Sequence, residues 1–220
     1  MDSLEFTPKC VLPYQEGYVA VGVDGELQKL DKNYTPLLKY VKPFPTPIRD
    51  ATISQNILIA TWLDPELLLA RIAAIDLTND LQQGVNRGDL RIKRTIGNAI
   101  HPQGNLWSHV LDAEPLALTS NEQSFTFILW KKGIYNLSID EIENWRAPPA
   151  KWEQLEKLPR ANEPVALIDC RDGSVEVWSK GGGVKKIDVG SGNVINQTIL
   201  DLDGFVERVF KHEDLSLIHI

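Results

Sequence analysis

The sequence predicts an all-β chain made of repeated antiparallel units, and three observations predict it. Apolar and polar residues alternate with period two, as in Val175-Glu176-Val177-Trp178 and Leu27-Gln28-Lys29-Leu30, between connectors rich in Gly, Asp and Lys. A unit also recurs. Glu114-Pro115-Leu116-Ala117-Leu118 aligns with Glu163-Pro164-Val165-Ala166-Leu167, Trp130-Lys131-Lys132-Gly133 with Trp178-Ser179-Lys180-Gly181, and Ile139-Asp140 with Ile187-Asp188, at offsets of 49, 48 and 48 residues. The third observation is a globular composition, 43% hydrophobic and 24% charged over 220 residues, which excludes a disordered, collagen-like or disulfide-scaffold chain. A small four-stranded sheet recurring every 40 to 50 residues or so cannot bury both faces alone and stacks radially on its neighbours, so the expected architecture is a β-propeller of four-stranded antiparallel blades.

The elements follow in order. A first hairpin runs over 19–23 and 27–30, turns at Asp24-Gly25 and ends in Leu30-Asp31, with an outer strand expected at 37–41. The second covers 57–62 and 68–75, turns at Asp64-Pro65 and ends in Ile75-Asp76, with an outer strand at 90–96 and loop insertions at 82–89 and 98–106. Asp64-Pro65-Glu66 ahead of a run of good helix formers is by itself a helix start. The strand reading for 66–76 is preferred, because Ile75-Asp76 matches the other hairpin ends and tertiary context overrides propensities of under ~1 kcal/mol per residue. The third and fourth units are the aligned pair, with outer strands at 152–158 and 194–202, and a fifth opens at Phe205 with strands at 206–211 and 215–220. The blades are thus 8–44, 45–105, 112–160, 161–203 and 205–220, about five in one domain spanning 1–220. The last is either incomplete or closed by the amino-terminal strand, residues 4–12, which would cover an apolar edge. Trp62, Trp130 and Trp178 are expected at equivalent buried positions between blades.

With this repeat period, these apolar-Asp hairpin ends and these tryptophan positions, the chain resembles the WD40-like and quinoprotein-like β-propeller superfamily over most of its length. It departs from the well-marked WD40 pattern in having neither the Gly-His of that blade nor a Trp-Asp dipeptide. Trp145-Arg146-Ala147-Pro148-Pro149 and Val177-Trp178-Ser179-Lys180-Gly181-Gly182-Gly183 are similar to segments of prokaryotic, archaeal propellers. The resemblance implies a scaffold or binding role more often than catalysis; fold alone does not decide function.

A formal charge of −7 makes binding to nucleic acid through phosphates unfavourable. The longest apolar stretches fall far short of the roughly 20 residues a membrane-spanning helix needs, and the amino terminus is acidic where a secretory signal would be basic. A cytoplasmic protein is expected, with Cys10 and Cys170 as small core residues. The four histidines, His101, His109, His212 and His219, lack the spacing of a zinc pair, and Gly181-Gly182-Gly183 reads as a hairpin turn rather than a phosphate cradle. No Gly-x-Ser-x-Gly occurs. No catalytic, cofactor-binding or metal-binding residue is therefore assigned.

Two clusters are candidate partner-binding sites. Trp145, Arg146 and Trp152 stand in a proline-broken connector, readable as a partner surface or as a lid packed back on its blade. The dense positive cluster contains Arg91, Lys93 and Arg94, and strand alternation would put Arg91 and Lys93 on one face with Arg94 opposite. The function expected is a non-catalytic protein-interaction scaffold whose partner is another protein. The alternative is a propeller enzyme or ligand binder of the quinoprotein kind, in which His101, His109 and nearby acids would converge on a central channel.

Overall fold

The computed structural model describes residues 4–95, 99–212 and 215–219. They form two compact units, residues 1–115 and 116–220. In the first unit β1 (Pro8–Tyr14), β2 (Gly17–Gly22) and β3 (Leu27–Leu30) make a three-stranded sheet. A four-stranded sheet follows, from β4 (Ile48–Ser54), β5 (Ile57–Asp64), β6 (Leu69–Asp76) and, after helix α1 (Arg87–Thr95), β7 (Asn105–Leu111). In the second unit β8 (Pro115–Ser120), β9 (Ser124–Leu129), β10 (Gly133–Ser138) and β11 (Glu143–Ala147) form one four-stranded sheet. Another contains β12 (Pro164–Cys170), β13 (Ser174–Ser179), β14 (Gly183–Asp188) and β15 (Val194–Ile199), and β16 (Arg208–His212) pairs with β17 (Leu215–His219). Within each sheet, strands adjacent in sequence are adjacent in space and pair antiparallel, as expected of blades.

The repeat extends to the irregularities. Where the first strand of a sheet meets the second, one residue bulges at the same point: Lys9 between Pro8 and Cys10, Arg49 between Ile48 and Asp50, Val165 between Pro164 and Ala166. A second bulge recurs where the third strand meets the fourth, at Leu106, Asn144 and Ile195. Bulges sharpen the twist of a short sheet. The third strand closes on a residue that caps the following turn. Asp31, just after β3, accepts from the Asn33 and Thr35 amides, both at 2.8 Å, Asp76 from Thr78 N at 2.8 Å and Asp188 from Ser191 N at 2.8 Å. The apolar-Asp signal is thus an Asx-turn signal.

The same geometry corrects the repeat register. The capping residue pairs with the first residue of the second strand, Asp76 with Ile57, Asp188 with Ser174 and Ser138 with Ser124. Ser138, whose hydroxyl accepts from Ile142 N at 3.2 Å, is therefore the counterpart of Asp188, and Asp140 lies two residues beyond it in the turn. The offset across these hairpins is 50 residues, not 48. Trp62 then corresponds to Leu129 and Ser179, Trp178 to Thr61 and Ile128, and Trp130 falls just beyond β9. Successive strand residues face opposite sides, so the three tryptophans are not equivalent. Trp62 is wholly buried with Leu58 and Ala60, Trp178 is buried with Val206 and Val209, and Trp130 is 36% exposed.

Of residues 66–76, expected as a strand, 69–76 form β6, while 65–68 are a turn that the helix-start chemistry closes: Asp64 accepts from the Glu66 and Leu67 amides, both at 3.0 Å, and Leu68 is in the left-handed region at φ 51°. Three outer strands differ from expectation. Residues 90–95 are helical rather than a strand: α1 occupies Arg87–Thr95, started by Asn86, whose side chain accepts from Asp89 N at 3.0 Å, and anchored by buried Leu90; Ile96 lies outside the described residues. The fourth strand there is β7. Residues 37–41, expected as a strand, contribute one isolated bridge, at Val41, with another at Pro36 just before them, and the Gln28 side chain takes a rung by donating to Leu38 O at 2.7 Å. Proline, without an N–H, interrupts the ladder there. At 152–158 the chain forms a short 3-10 helix, Glu153–Leu155, the fourth strand being β11.

Each unit has its own core. The first gathers Val19, Val21, Leu27, Leu58, Trp62, Ile75 and Phe44; the second Ile128, Ile134, Trp145, Trp152, Val175, Val177 and Ile187. In the β12–β13 turn, Lys186 and the Ser174 hydroxyl hold the Asp172 carboxyl at about 2, against 3.8 ordinarily. Because the folded value is the lower one, this contribution is complete above pH 3.8 and is lost as the pH falls toward 2. The pair is largely exposed, 56% for Asp172, so screening keeps the effect below about 1 kcal/mol. Urea titrations at pH 5 and pH 2 should show Asp172→Asn losing less stability than wild type over that interval; equal losses would assign no acid-sensitive role to the pair.

Candidate functional site

A cavity of about 340 Å³ opens in the second unit between the β9–β10 turn and the connector that leads from β11 to β12. Its position follows from how the connector is fastened. Trp152 is the anchor: wholly buried, it rests on the backbone of Gly183, where an added Cβ would come within 2.6 Å of the indole. Only glycine permits that approach. Asn162 clasps the same residue, accepting from Trp152 N at 2.8 Å and donating to Trp152 O at 3.2 Å. The Lys185 ammonium lies 5.4 Å from the centre of the Trp152 ring, and burial pulls its pKa down. The connector's far end is sewn to the β13–β14 turn by Gly181 N to Ala161 O and Lys180 N to Glu163 O, both 2.9 Å.

With its inner side fixed, the connector leaves Leu158 and Pro159 facing outward, with Leu158 54% exposed. Opposite stands Trp130, and between them the buried side chains of Ile128, Leu129 and Ala150 form the deep part of the cavity. Lys131, Lys151, Glu156, Arg160 and Glu163 supply the charged part of its lining. Glu163 is held by Arg160 at 3.0 Å and by Lys180, and these cations, Arg160 foremost, keep its carboxyl below the usual range. The Lys131 ammonium sits 5.4 Å from the Trp130 ring centre. Both turns at the mouth carry a non-glycine residue in the left-handed region, Lys131 at φ 57° and Arg160 at φ 66°. Such conformations persist where surrounding structure holds them. Chemically the site is an apolar pocket with a charged rim, suited to taking up a side chain.

The residues singled out from sequence are distributed otherwise. Trp145 is buried, donating its indole N–H to Val189 O at 2.6 Å, and Trp152 is the anchor just described, so both belong to the interior of the second unit. Arg146 is exposed, paired with Glu143 at 2.7 Å, and lies 5.8 Å from the Tyr135 ring centre. Arg91 is on α1 and meets Glu66 at 3.5 Å, beside Arg87, which pairs with Glu66 and with buried Asp64. The strand alternation expected for Arg91, Lys93 and Arg94 is replaced by helical spacing; the side chains of Lys93 and Arg94 lie outside the described residues. In the first unit His101 Nδ1 is 3.0 Å from Ser108 Oγ, and Glu114 meets Arg49 at 3.7 Å. Sequence reasoning missed Trp130, Lys131 and Leu158, having aligned Trp130 with a buried residue two register positions away. The two left-handed positions themselves, Lys131 and Arg160, are not glycines and so carry no mark of that conformation in the sequence.

No protein-family model matches the chain, and no curated protein sequence does. Its fold has solved counterparts. It is similar to the β-propeller domain of Cps50 (Swd1) from Myceliophteria thermophila, with a TM-score of 0.65 and 13% identity over 97% of this chain and 64% of that one. The computationally designed Ika8 protein gives a TM-score of 0.59 at 12% identity over 94% of this chain and 54% of that one. BamB from Moraxella catarrhalis gives 0.56 at 11% identity over 91% and 55%. The chain spans less than two thirds of each of these structures. The fold is a β-propeller fold, in agreement with the resemblance drawn from the repeats; the archaeal affinity finds no support among these neighbours.

Proposed function

We propose that the protein is a non-catalytic interaction scaffold of the β-propeller type, and that it docks another protein at the pocket of its second unit. One observation carries this reading: an apolar cavity open to solvent, with Trp130 and Leu158 exposed at its mouth and a connector fastened behind it. A preformed pocket with a large aromatic at its edge is where interface energy concentrates. The alternative, a ligand channel built on His101, His109 and neighbouring acids, is less well supported, since His101 and Glu114 are engaged with Ser108 and Arg49 inside the first unit. A cytoplasmic setting fits two free cysteines, Cys10 and Cys170.

Affinity capture from the native source tests the reading. A partner retained by wild type is expected to be lost with Leu158→Glu, which removes an exposed side chain and should alter stability by no more than about 0.5 kcal/mol. A partner held equally by both proteins would place docking elsewhere.

A further inference from the structure

We infer that the pocket recognises an extended peptide segment in which one large apolar side chain is flanked by carboxylates. The inference rests on the docking reading above and specifies the chemistry of its partner. At about 340 Å³ the cavity is near the small end of ligand pockets, with room for one or two side chains rather than for a folded element.

Charge selects the flanks. Neither Lys131 nor Lys151 pairs with a carboxylate among the described residues, whereas Glu163, the acid between them and the fourth sheet, is already shared by Arg160 and Lys180. The lining carries three cations, Lys131, Lys151 and Arg160, against the carboxylates of Glu156 and Glu163, and Glu163 is further neutralised by Lys180 from outside the lining. This local excess stands on a chain of net charge −7, so it is not the overall composition showing through. Opposite charge at an interface rim orients the partner and excludes wrong ones. The position of Lys131 sets the spacing. Its ammonium lies 5.4 Å from the Trp130 ring centre, so a carboxylate meeting it belongs to a residue next to the one whose side chain lies against the indole. The left-handed turns at Lys131 and Arg160 fix both cations to short, hydrogen-bonded loops, Lys132 N to Leu129 O at 3.1 Å and Glu163 N to Arg160 O at 3.0 Å.

The test uses the full chain and three synthetic heptapeptides centred on Asp-Phe-Asp, Lys-Phe-Lys or Asp-Ala-Asp, with glycine elsewhere, titrated by calorimetry. The Asp-Phe-Asp peptide is expected to bind on the order of tenfold or more tightly than either other, and to weaken as salt is raised. Lys131→Glu with Lys151→Glu should cost a comparable factor, while Arg146→Ala, outside the pocket, should leave the affinity unchanged. Equal binding of the Asp-Phe-Asp and Lys-Phe-Lys peptides, or binding of neither, overturns the inference. If these peptides fail but capture still depends on Leu158, the docking reading stands and only the acidic-flank chemistry falls. If capture is indifferent to Leu158, the docking reading is what fails.

Discussion

Trp152→Ala is expected to destabilise the second unit by about 3–5 kcal/mol, the usual range for emptying a large buried aromatic site. The indole is wholly buried among Val175, Val177 and Ile187 and against Gly183, and it ties the 148–163 connector to the fourth sheet. Trp130→Ala should change stability by no more than about 1 kcal/mol, since that ring is 36% exposed at the cavity mouth. Denaturant titration of the two variants checks the contrast. Trp152→Phe refines it. The buried Trp152 indole nitrogen finds no acceptor among the described residues, so a phenyl ring should retain most of the stability. Comparable losses from Trp130→Ala and Trp152→Ala would contradict the corrected register.

Asn136→Leu should cost about 1–3 kcal/mol although it keeps the branched shape of the side chain. The Asn136 amide, with no exposed surface, donates to Thr126 Oγ1 at 2.9 Å and to Ser124 Oγ at 3.2 Å, and its carbonyl accepts from Asn144 Nδ2 at 2.8 Å. The network joins β9, β10 and β11, and leucine would leave the Thr126 and Ser124 hydroxyls buried with one partner fewer. A slip of one residue in β10 would turn Asn136 to the other face. Equilibrium unfolding measures the loss; a variant as stable as wild type would mean that the network supplies neither stability nor register.

What the sequence disclosed follows from physics that acts over short distances. The hairpins and their Asp-capped ends are legible because a period-two pattern and an Asx turn are local, and the strand expected over 66–76 against its own helix signal, through the shared Ile75-Asp76 ending, is present from 69 to 76. Three outer strands were misplaced because their alternation is weak. The exposed run at β15 was found, but over 87–95 a capping asparagine and one buried leucine were enough for a helix. The tryptophan alignment failed for a different reason. A difference of two residues in a turn leaves a motif match intact while moving Trp130 from the strand to a rim. The segment holding Trp145 and Trp152 is distinctive in the sequence, but Trp145 belongs to β11 and only Trp152 to the connector; both aromatics lie inside, while the exposed apolar residue of the connector is Leu158, which no periodicity singles out.

The most direct test of the account is an amide and indole chemical-shift map of the isotopically labelled full chain titrated with the Asp-Phe-Asp peptide. Perturbations are expected to concentrate at Leu116, at residues 128–131, at 149–151 and at 156–164, with the Trp130 indole among the largest. Perturbations centred instead on α1 around Arg91, or on the β7 histidine His109, with the Trp130 and Leu158 signals unmoved, would contradict it.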